Sequence, residues 1–244
     1  MGILRAALAD EWDGLERISR DIRPADIATL ANAIMGLLAI NLAASGRTEL
    51  GALLILVGIL LDGVDGALAR LFGGGPLGGF LDTLSDVITF AVAPAVLLVQ
   101  TPELGWATGV VASLYLVAVI LRLARFEALR ERKDRRYFSG LSSPGGALVV
   151  VATILVGLPA AATWAVALAV AGLMVSRVRY PKLRGWLGVL AAAVIVAVLA
   201  VAWLPLTQTD LAVWAMMAFM AFYLVAGPFY VLLRIGPTQH PEAR

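Results

Sequence analysis

The stretch of sequence that decides the fold covers residues 51–86 and reads GALLILVGILLDGVDGALARLFGGGPLGGFLDTLSD. It contains two largely apolar segments that are separated by a short Gly-rich turn at residues 71–77. Apolar segments of about 20 residues are typical of membrane-spanning helices. Because the turn is so short, we expect the two helices to be antiparallel neighbours.

The composition of the whole chain is that of an integral membrane protein. Of its 244 residues, 61% are hydrophobic and 15% are charged, and the mean hydropathy is +0.90. A soluble domain has about 45–50% apolar and about 25% charged residues. The apolar runs between helix breakers predict an all-α membrane protein with eight transmembrane helices. We place these helices at residues 26–44, 48–70, 78–100, 104–128, 145–158, 160–176, 185–203 and 209–233.

The basic residues lie on one side of this predicted topology. With eight spans both termini face the same side, which receives 18 of the 19 lysines and arginines and leaves Arg47 alone on the other. The positive-inside rule then places both termini and the basic loops in the cytoplasm, in a protein of the cell membrane. A basic face suits anionic lipid headgroups of the bilayer or a phosphate-bearing substrate, and we expect no nucleic-acid partner.

The two ends of the chain are predicted to flank one transmembrane domain at residues 24–234. Residues 1–23 carry apolar side chains at helical spacing among charged ones, which predicts an amphipathic helix along the membrane surface. This segment is either a simple surface anchor or a gate over a lipid-binding site. Residues 235–244 form a polar tail.

Two scarce residue types exclude several kinds of chemistry. Cysteine is absent, which excludes disulfides, thiol nucleophiles and thiolate metal sites. His240 is the only histidine and lies in the polar tail, which excludes catalytic triads and metal sites that depend on histidine.

Four aspartates, Asp62, Asp65, Asp82 and Asp86, lie within otherwise apolar stretches. An ionised aspartate in the bilayer core costs about 2.5–3.5 kcal/mol on insertion scales, so the four need a compensating partner. Their spacing places each pair on one face of its helix, near the cytoplasmic end. Oxygen ligands alone suit a hard divalent cation such as Mg²⁺ or Mn²⁺, and two such ions would balance the four charges.

Two alternatives to a metal site are compatible with the same four aspartates. In the first, the carboxylates pair with basic side chains for packing alone, for which Arg70 is the nearby candidate in the sequence. In the second, they form the proton or cation relay of a transporter.

The same residues carry a resemblance to a known family. Residues 62–70, DGVDGALAR, and residues 78–86, GGFLDTLSD, match the pattern D-x-x-D-G-x-x-A-R followed by G-x-x-x-D-x-x-x-D. This pattern closely resembles the signature of the CDP-alcohol phosphatidyltransferases. The spacer between Arg70 and Gly78 has seven residues here, where eight is common.

The resemblance implies an activity and a set of roles. Members displace CMP from a CDP-linked lipid with an alcohol, use metal ions that clamp the diphosphate, and are commonly homodimers. By resemblance Asp62, Asp65 and Asp82 are metal ligands, and Asp86 is both a ligand and the general base for the incoming hydroxyl. Gly66 then lets the nucleotide approach the helix backbone, and Arg70 pairs with phosphate oxygens.

A second element lies upstream, at residues 24–29, PADIAT. It is similar to the P-D-x-x-T element of the family, with one extra residue after the proline. The resemblance makes Asp26 and Thr29 candidates for the nucleotide site. The alternative for both residues is helix capping.

Three further segments resemble the phosphatidylserine synthase branch of the family. Residues 122–126 match R-L-A-R-F, residues 138–144 match F-x-G-L-P-x-P except that Ser142 replaces the first proline, and residues 173–182 resemble the element that closes the sixth span. The branch implies transfer from CDP-diacylglycerol, or an ether-lipid analogue, to L-serine by two-metal in-line displacement. Inositol phosphate and glycerol phosphate are the alternative acceptors. Arg122 or Arg125 is then expected to bind the serine carboxylate, unless both only anchor the helix end at the cytoplasmic face.

Overall fold

The computed structural model describes residues 22–100, 105–129, 137–181, 186–203 and 209–235. The predicted surface helix at residues 1–23 lies outside the described residues except for its last two positions, and the polar tail lies outside them except for its first.

The described part of the chain is almost entirely helical, as the hydropathy predicts. The first four helices are α1 (Pro24–Ala44), α2 (Thr48–Phe72), α3 (Gly78–Val99) and α4 (Trp106–Ala128). The other four are α5 (Ser143–Leu155), α6 (Ala160–Val175), α7 (Trp186–Trp203) and α8 (Thr209–Ile235). Each helix lies within a few residues of one predicted span.

Five of these helices are long and apolar enough to cross a membrane. They are α1, α2, α3, α4 and the segment Leu211–Val231 of α8. The apolar stretches Ser143–Leu155, Ala160–Val175 and Gly188–Ala202 are shorter. With 13 residues, α5 is about 20 Å long, whereas the hydrocarbon core is about 30 Å thick. The protein is therefore an all-α integral membrane protein, and the count of eight spans stays a prediction.

The first three helices pack closely because small residues lie between them. Gly36 of α1 and Gly58 of α2 both face Thr89 of α3, and a Cβ atom added to either glycine would lie 2.5–2.6 Å from a Thr89 side-chain atom. Hydrogen bonds add to this packing, since Ser85 Oγ donates to the Thr29 carbonyl and Thr89 Oγ1 to the Asn32 carbonyl. These contacts fix α3 against α1 at positions before and after Asp86 in the sequence.

Helix α3 is not regular along its length. Gly78–Asp86 is α-helical, Val87–Val92 forms a π-helical segment, and Ala93–Val99 is α-helical again. Such π segments are rare and frequently occur at functional sites. The sequence pattern did not predict this one, which begins directly after Asp86.

Two short strands join the segments that flank α5 and α6. Strand β1 (Tyr137–Ser139) pairs antiparallel with strand β2 (Arg179–Pro181). On α8, Tyr223 Oη donates a hydrogen bond of 2.8 Å to the carbonyl of Pro181. The strands therefore bring the chain before α5 next to the chain after α6, although the sequence pattern predicted neither strand.

Candidate active site

Three of the four predicted aspartates come together between α2 and α3. Asp62, Asp82 and Asp86 each offer a carboxylate oxygen, and these oxygens all lie within 4.8 Å of one another. Asp86 is buried, and the other two are partly buried. The arrangement follows from the short turn at residues 73–77, which reverses the chain between two helices whose aspartates face each other.

Asp65 has a different environment from the other three. Its Oδ2 atom accepts a hydrogen bond of 2.8 Å from Thr29 Oγ1 of α1, and its side chain is buried. Residues three apart on an α-helix differ by about 60° in direction. Asp62 therefore lies toward α3 and Asp65 toward α1, and the role of Asp65 as a metal ligand stays a prediction.

The three clustered carboxylates fit a divalent cation. Like charges this close repel one another, and burial makes the repulsion more costly. Among the described residues, Asp86 Oδ1 has no hydrogen-bond partner although it is buried. A hard cation with oxygen ligands removes both costs, so the cluster can hold a divalent metal ion.

The second oxygen of Asp86 contacts a residue that the sequence motifs did not single out. Ser143, the first residue of α5, lies with its Oγ atom 3.2 Å from Asp86 Oδ2. Arg122 of α4 donates a hydrogen bond of 2.8 Å from Nη1 to the same Oγ atom. The guanidinium carbon of Arg122 also lies 5.1 Å from the centre of the Phe126 ring. Ser143 occupies an unspecified position of the F-x-G-L-P-x-P element, which is why the motif gave no signal for it.

The two predicted acceptor ligands differ in their contacts. Arg122 is buried and belongs to the hydrogen-bond chain that ends at Asp86. Arg125 donates hydrogen bonds to backbone carbonyls, at distances of 2.9–3.2 Å. These carbonyls belong to Ser139, Met174, Val175 and Ser176. Arg125 thus ties β1 to the end of α6, and its role in acceptor binding stays a prediction.

The two upstream candidates for the nucleotide site lie at the start of α1. Asp26 Oδ2 accepts a hydrogen bond of 2.7 Å from the backbone N–H of Arg23, which is a capping contact. Its Oδ1 atom lies beside Gly78, where an added Cβ atom would be 3.0 Å away. Asp26 therefore caps the start of α1 and lies beside α3, whereas Thr29 makes no capping contact and instead donates to Asp65 of α2.

The other two candidates follow Asp65 on α2. Arg70 is exposed and folds back, so that its Nη1 atom would lie 3.4 Å from a Cβ atom at Gly66. A Cβ atom at Gly66 would therefore be in ordinary van der Waals contact with the guanidinium one turn away. A basic group thus lies over Gly66, at the end of α2 that leads into the Gly-rich turn.

Comparison with known proteins identifies the class to which this helical fold and carboxylate cluster belong. Residues 23–176 match the family model of the CDP-alcohol phosphatidyltransferases. The matched range includes every residue of the cluster and its neighbours on α1, α4 and α5. The chain belongs to this family, whose chemistry depends on divalent metal ions.

Several individual relatives are also similar to the chain. A CDP-diacylglycerol–serine O-phosphatidyltransferase of Mycobacterium leprae is 33% identical over 88% of this chain and 76% of its own length. An archaetidylserine synthase of Methanothermobacter thermautotrophicus is 33% identical over 70% of this chain and 74% of its own. A CDP-diacylglycerol–serine O-phosphatidyltransferase of Methanocaldococcus jannaschii is 36% identical over 68% of this chain and 77% of its own.

Proposed function

We propose that this protein transfers the phosphatidyl group of CDP-diacylglycerol, or of an ether-lipid equivalent, to L-serine, forming phosphatidylserine or its ether analogue and releasing CMP. The observation that carries the proposal is the cluster of Asp62, Asp82 and Asp86 inside the family signature. The names of the three relatives support serine as the acceptor. Both diacyl and archaeal-type lipids occur among those names, so we propose the shared chemistry.

The aspartates are proposed to hold two Mg²⁺ or Mn²⁺ ions, with Asp65 as the fourth ligand. When bound, the ions supply positive charge to the diphosphate and to the oxygens that attack and leave. Asp86 takes the proton of the serine hydroxyl as the new oxygen–phosphorus bond forms. The bond from phosphorus to the CMP oxygen breaks in line with the attack, and CMP leaves with the electron pair. No separate acid is needed, because CMP leaves as a phosphate anion.

The nucleotide is proposed to lie against α1 and α2. Asp26 and Thr29 then face the cytidine portion, and Gly66 allows the backbone of α2 to approach it. Arg70 pairs with phosphate oxygens, which suits its exposed guanidinium beside the turn.

The serine carboxylate is proposed to bind Arg122, with Arg125 as the second candidate. Arg122 supports this proposal because its hydrogen-bond chain leads to Asp86, where the serine hydroxyl must lose its proton. Arg125 is the weaker candidate because its donors already contact carbonyl groups.

The catalytic domain is proposed to extend over residues 24–234, with eight spans and both termini in the cytoplasm. The charge distribution supports this orientation, since Arg47 is alone on the opposite side of the predicted topology. Cytidine and serine then reach the aspartates from the cytoplasm, and the lipid chains stay in the bilayer of the cell membrane. By family resemblance we propose a homodimer.

A CMP-release assay on the purified protein tests the proposal. The protein is given CDP-diacylglycerol and Mn²⁺ or Mg²⁺ with serine, inositol phosphate or glycerol phosphate, and mass spectrometry identifies the lipid product. We expect metal-dependent release of CMP with serine and formation of phosphatidylserine. A product formed only with a phosphorylated alcohol would refute serine as the acceptor. Proton flux in proteoliposomes without any CMP release would refute the enzyme and support the transporter.

A further inference from the structure

A buried hydrogen-bond chain reaches Asp86 from outside α2 and α3. It consists of Arg122 on α4, Ser143 on α5 and Asp86 on α3, whose side chains are 6%, 0% and 6% exposed. We propose that Ser143 is a positioning residue, which holds the Asp86 carboxylate so that Oδ1 faces the other aspartates and the acceptor hydroxyl. This proposal rests on the proposed function, in which Asp86 is the base.

The direction of the hydrogen bonds in this chain follows from the chemistry of its members. A guanidinium group has only N–H donors, so the Ser143 oxygen must accept from Arg122. The single hydroxyl proton of Ser143 is then directed to Asp86 Oδ2. Because Arg122 donates to the Ser143 oxygen, the Ser143 hydroxyl proton points to Asp86. Asp86 Oδ2 then accepts this proton in a hydrogen bond. The reactive oxygen is Oδ1, which has no hydrogen-bond partner among the described residues.

The backbone around Ser143 is well placed for this role. The Ser142 Oγ atom accepts from the backbone N–H of Gly145 at 3.2 Å and so caps the start of α5. Before the cap, the N–H of Gly140 donates to the Val178 carbonyl at 2.7 Å, and that of Leu141 to the Leu173 carbonyl at 3.2 Å. The segment is therefore fixed from both sides, and the serine that replaces a proline of the motif provides the cap.

The expected effect of removing the Ser143 hydroxyl follows from the rotational freedom of the Asp86 carboxylate. The terminal torsion of an aspartate side chain has a broad energy profile, so the group rotates easily unless a partner holds it. Residues that orient a metal ligand through a hydrogen bond change metal affinity or activity by about 10–100-fold when they are removed. The contact between Ser143 and Asp86 is long at 3.2 Å, so we expect the lower end of this range.

The decisive variant is Ser143→Ala, with Thr153→Val as its matched control. Thr153 is also on α5 and 0% exposed, and its hydroxyl donates to the Val150 carbonyl rather than to an aspartate. Both changes remove one buried hydroxyl from the same helix. The measurements are kcat, the KM values for serine and CDP-diacylglycerol, and the affinity for Mn²⁺ from the electron paramagnetic resonance signal of the free ion.

We expect Ser143→Ala to lower kcat about tenfold and to weaken Mn²⁺ binding by a similar factor, with both KM values within about twofold of wild type. Thr153→Val is expected to stay within about twofold in every measurement. Ser143→Thr, which keeps the hydroxyl, is expected to recover most of kcat. If this variant does not fold, the decision rests on Ser143→Ala against Thr153→Val and on the Mn²⁺ titration.

Three results would overturn the proposal. They are a wild-type kcat for Ser143→Ala, equal losses for Ser143→Ala and Thr153→Val, and a folded Ser143→Thr variant as slow as Ser143→Ala. Failure of the proposed function gives a different pattern. The wild-type protein would then release no CMP with any alcohol, while Mn²⁺ binding to Ser143→Ala would still test the positioning of Asp86.

Discussion

Replacing Arg125 tests whether this residue stabilises the fold through its carbonyl contacts or binds the acceptor alcohol. Arg125 Nη1 contacts the Val175 carbonyl at 3.0 Å, and Nη2 contacts the carbonyls of Ser139, Met174 and Ser176 at 2.9, 3.1 and 3.2 Å. The change Arg125→Met removes these donors and keeps an unbranched side chain of similar reach. It removes the side-chain link between the end of α6 and β1 without adding bulk.

The expected loss of stability follows from the number of N–H protons that Arg125 donates to these carbonyls. Nη2 has only two N–H groups for three carbonyls, so three protons in total serve four acceptors. Hydrogen bonds to charged groups contribute about 1.5–3 kcal/mol each, so three of them contribute at most about 4.5–9 kcal/mol. Arg125 is only partly buried, so water replaces part of the loss. We expect a loss of about 2–4 kcal/mol in the free energy of unfolding.

Unfolding by SDS titration, followed through intrinsic tryptophan fluorescence, measures this loss. The chain has six tryptophans and no cysteine, so a thiol-reactive dye would report nothing. Arg177→Met is the control, because Arg177 is exposed in the neighbouring segment. If Arg125→Met is as stable as Arg177→Met and raises the KM for serine about tenfold or more, the reasoning from the carbonyl contacts is wrong and Arg125 is an acceptor ligand.

Three further predictions concern the reaction itself. Asp86→Asn is expected to lower CMP release by about 10²–10⁴-fold, the usual contribution of a general base, while Mn²⁺ still binds in the resonance titration with an affinity lowered about tenfold or more, because the amide keeps an oxygen ligand but loses the charge; turnover near wild type would remove Asp86 as the base. Arg122→Ala is expected to raise the KM for serine more than the KM for CDP-diacylglycerol in steady-state kinetics, and equal effects would argue against contact with the serine carboxylate. Removal of divalent metal with EDTA is expected to abolish CMP release, and Mn²⁺ or Mg²⁺ but not Na⁺ is expected to restore it; activity that survives complete chelation would contradict the role of the three clustered aspartates.

The positions of the helices could be predicted from the sequence because local features define them. Gly73, which has a positive φ of 82°, ends α2, and Pro159 separates α5 from α6. The meeting of Asp62 with Asp82 and Asp86 was also predictable, since spacings of three and four residues and a short turn leave few alternative arrangements.

The remaining features depend on contacts between distant segments. The partner of Asp65 is Thr29, 36 residues away, and the partner of Asp86 is Ser143, 57 residues away. Neither pair follows from periodicity, because each depends on how one helix is rotated against another. The π segment after Asp86 and the pairing of β1 with β2 are likewise results of packing, and their short sequences carry no distinct pattern.

The family signature and the branch-specific elements are far apart in the sequence but come together in the structure. The signature lies on α2 and α3, whereas the three elements that resemble the serine branch lie at the end of α4, between β1 and α5, and at the end of α6. Arg125 of the first element donates hydrogen bonds to Ser139 of the second and to Met174, Val175 and Ser176 of the third. The three elements therefore form one unit, which contacts the signature through Ser143 and Asp86. We expect the choice of alcohol to depend on this unit and recognition of the CDP-lipid on α1–α3. Variants selected for a different acceptor should carry their changes in the unit, and sequencing them would contradict this division if the changes fell on α1–α3 instead.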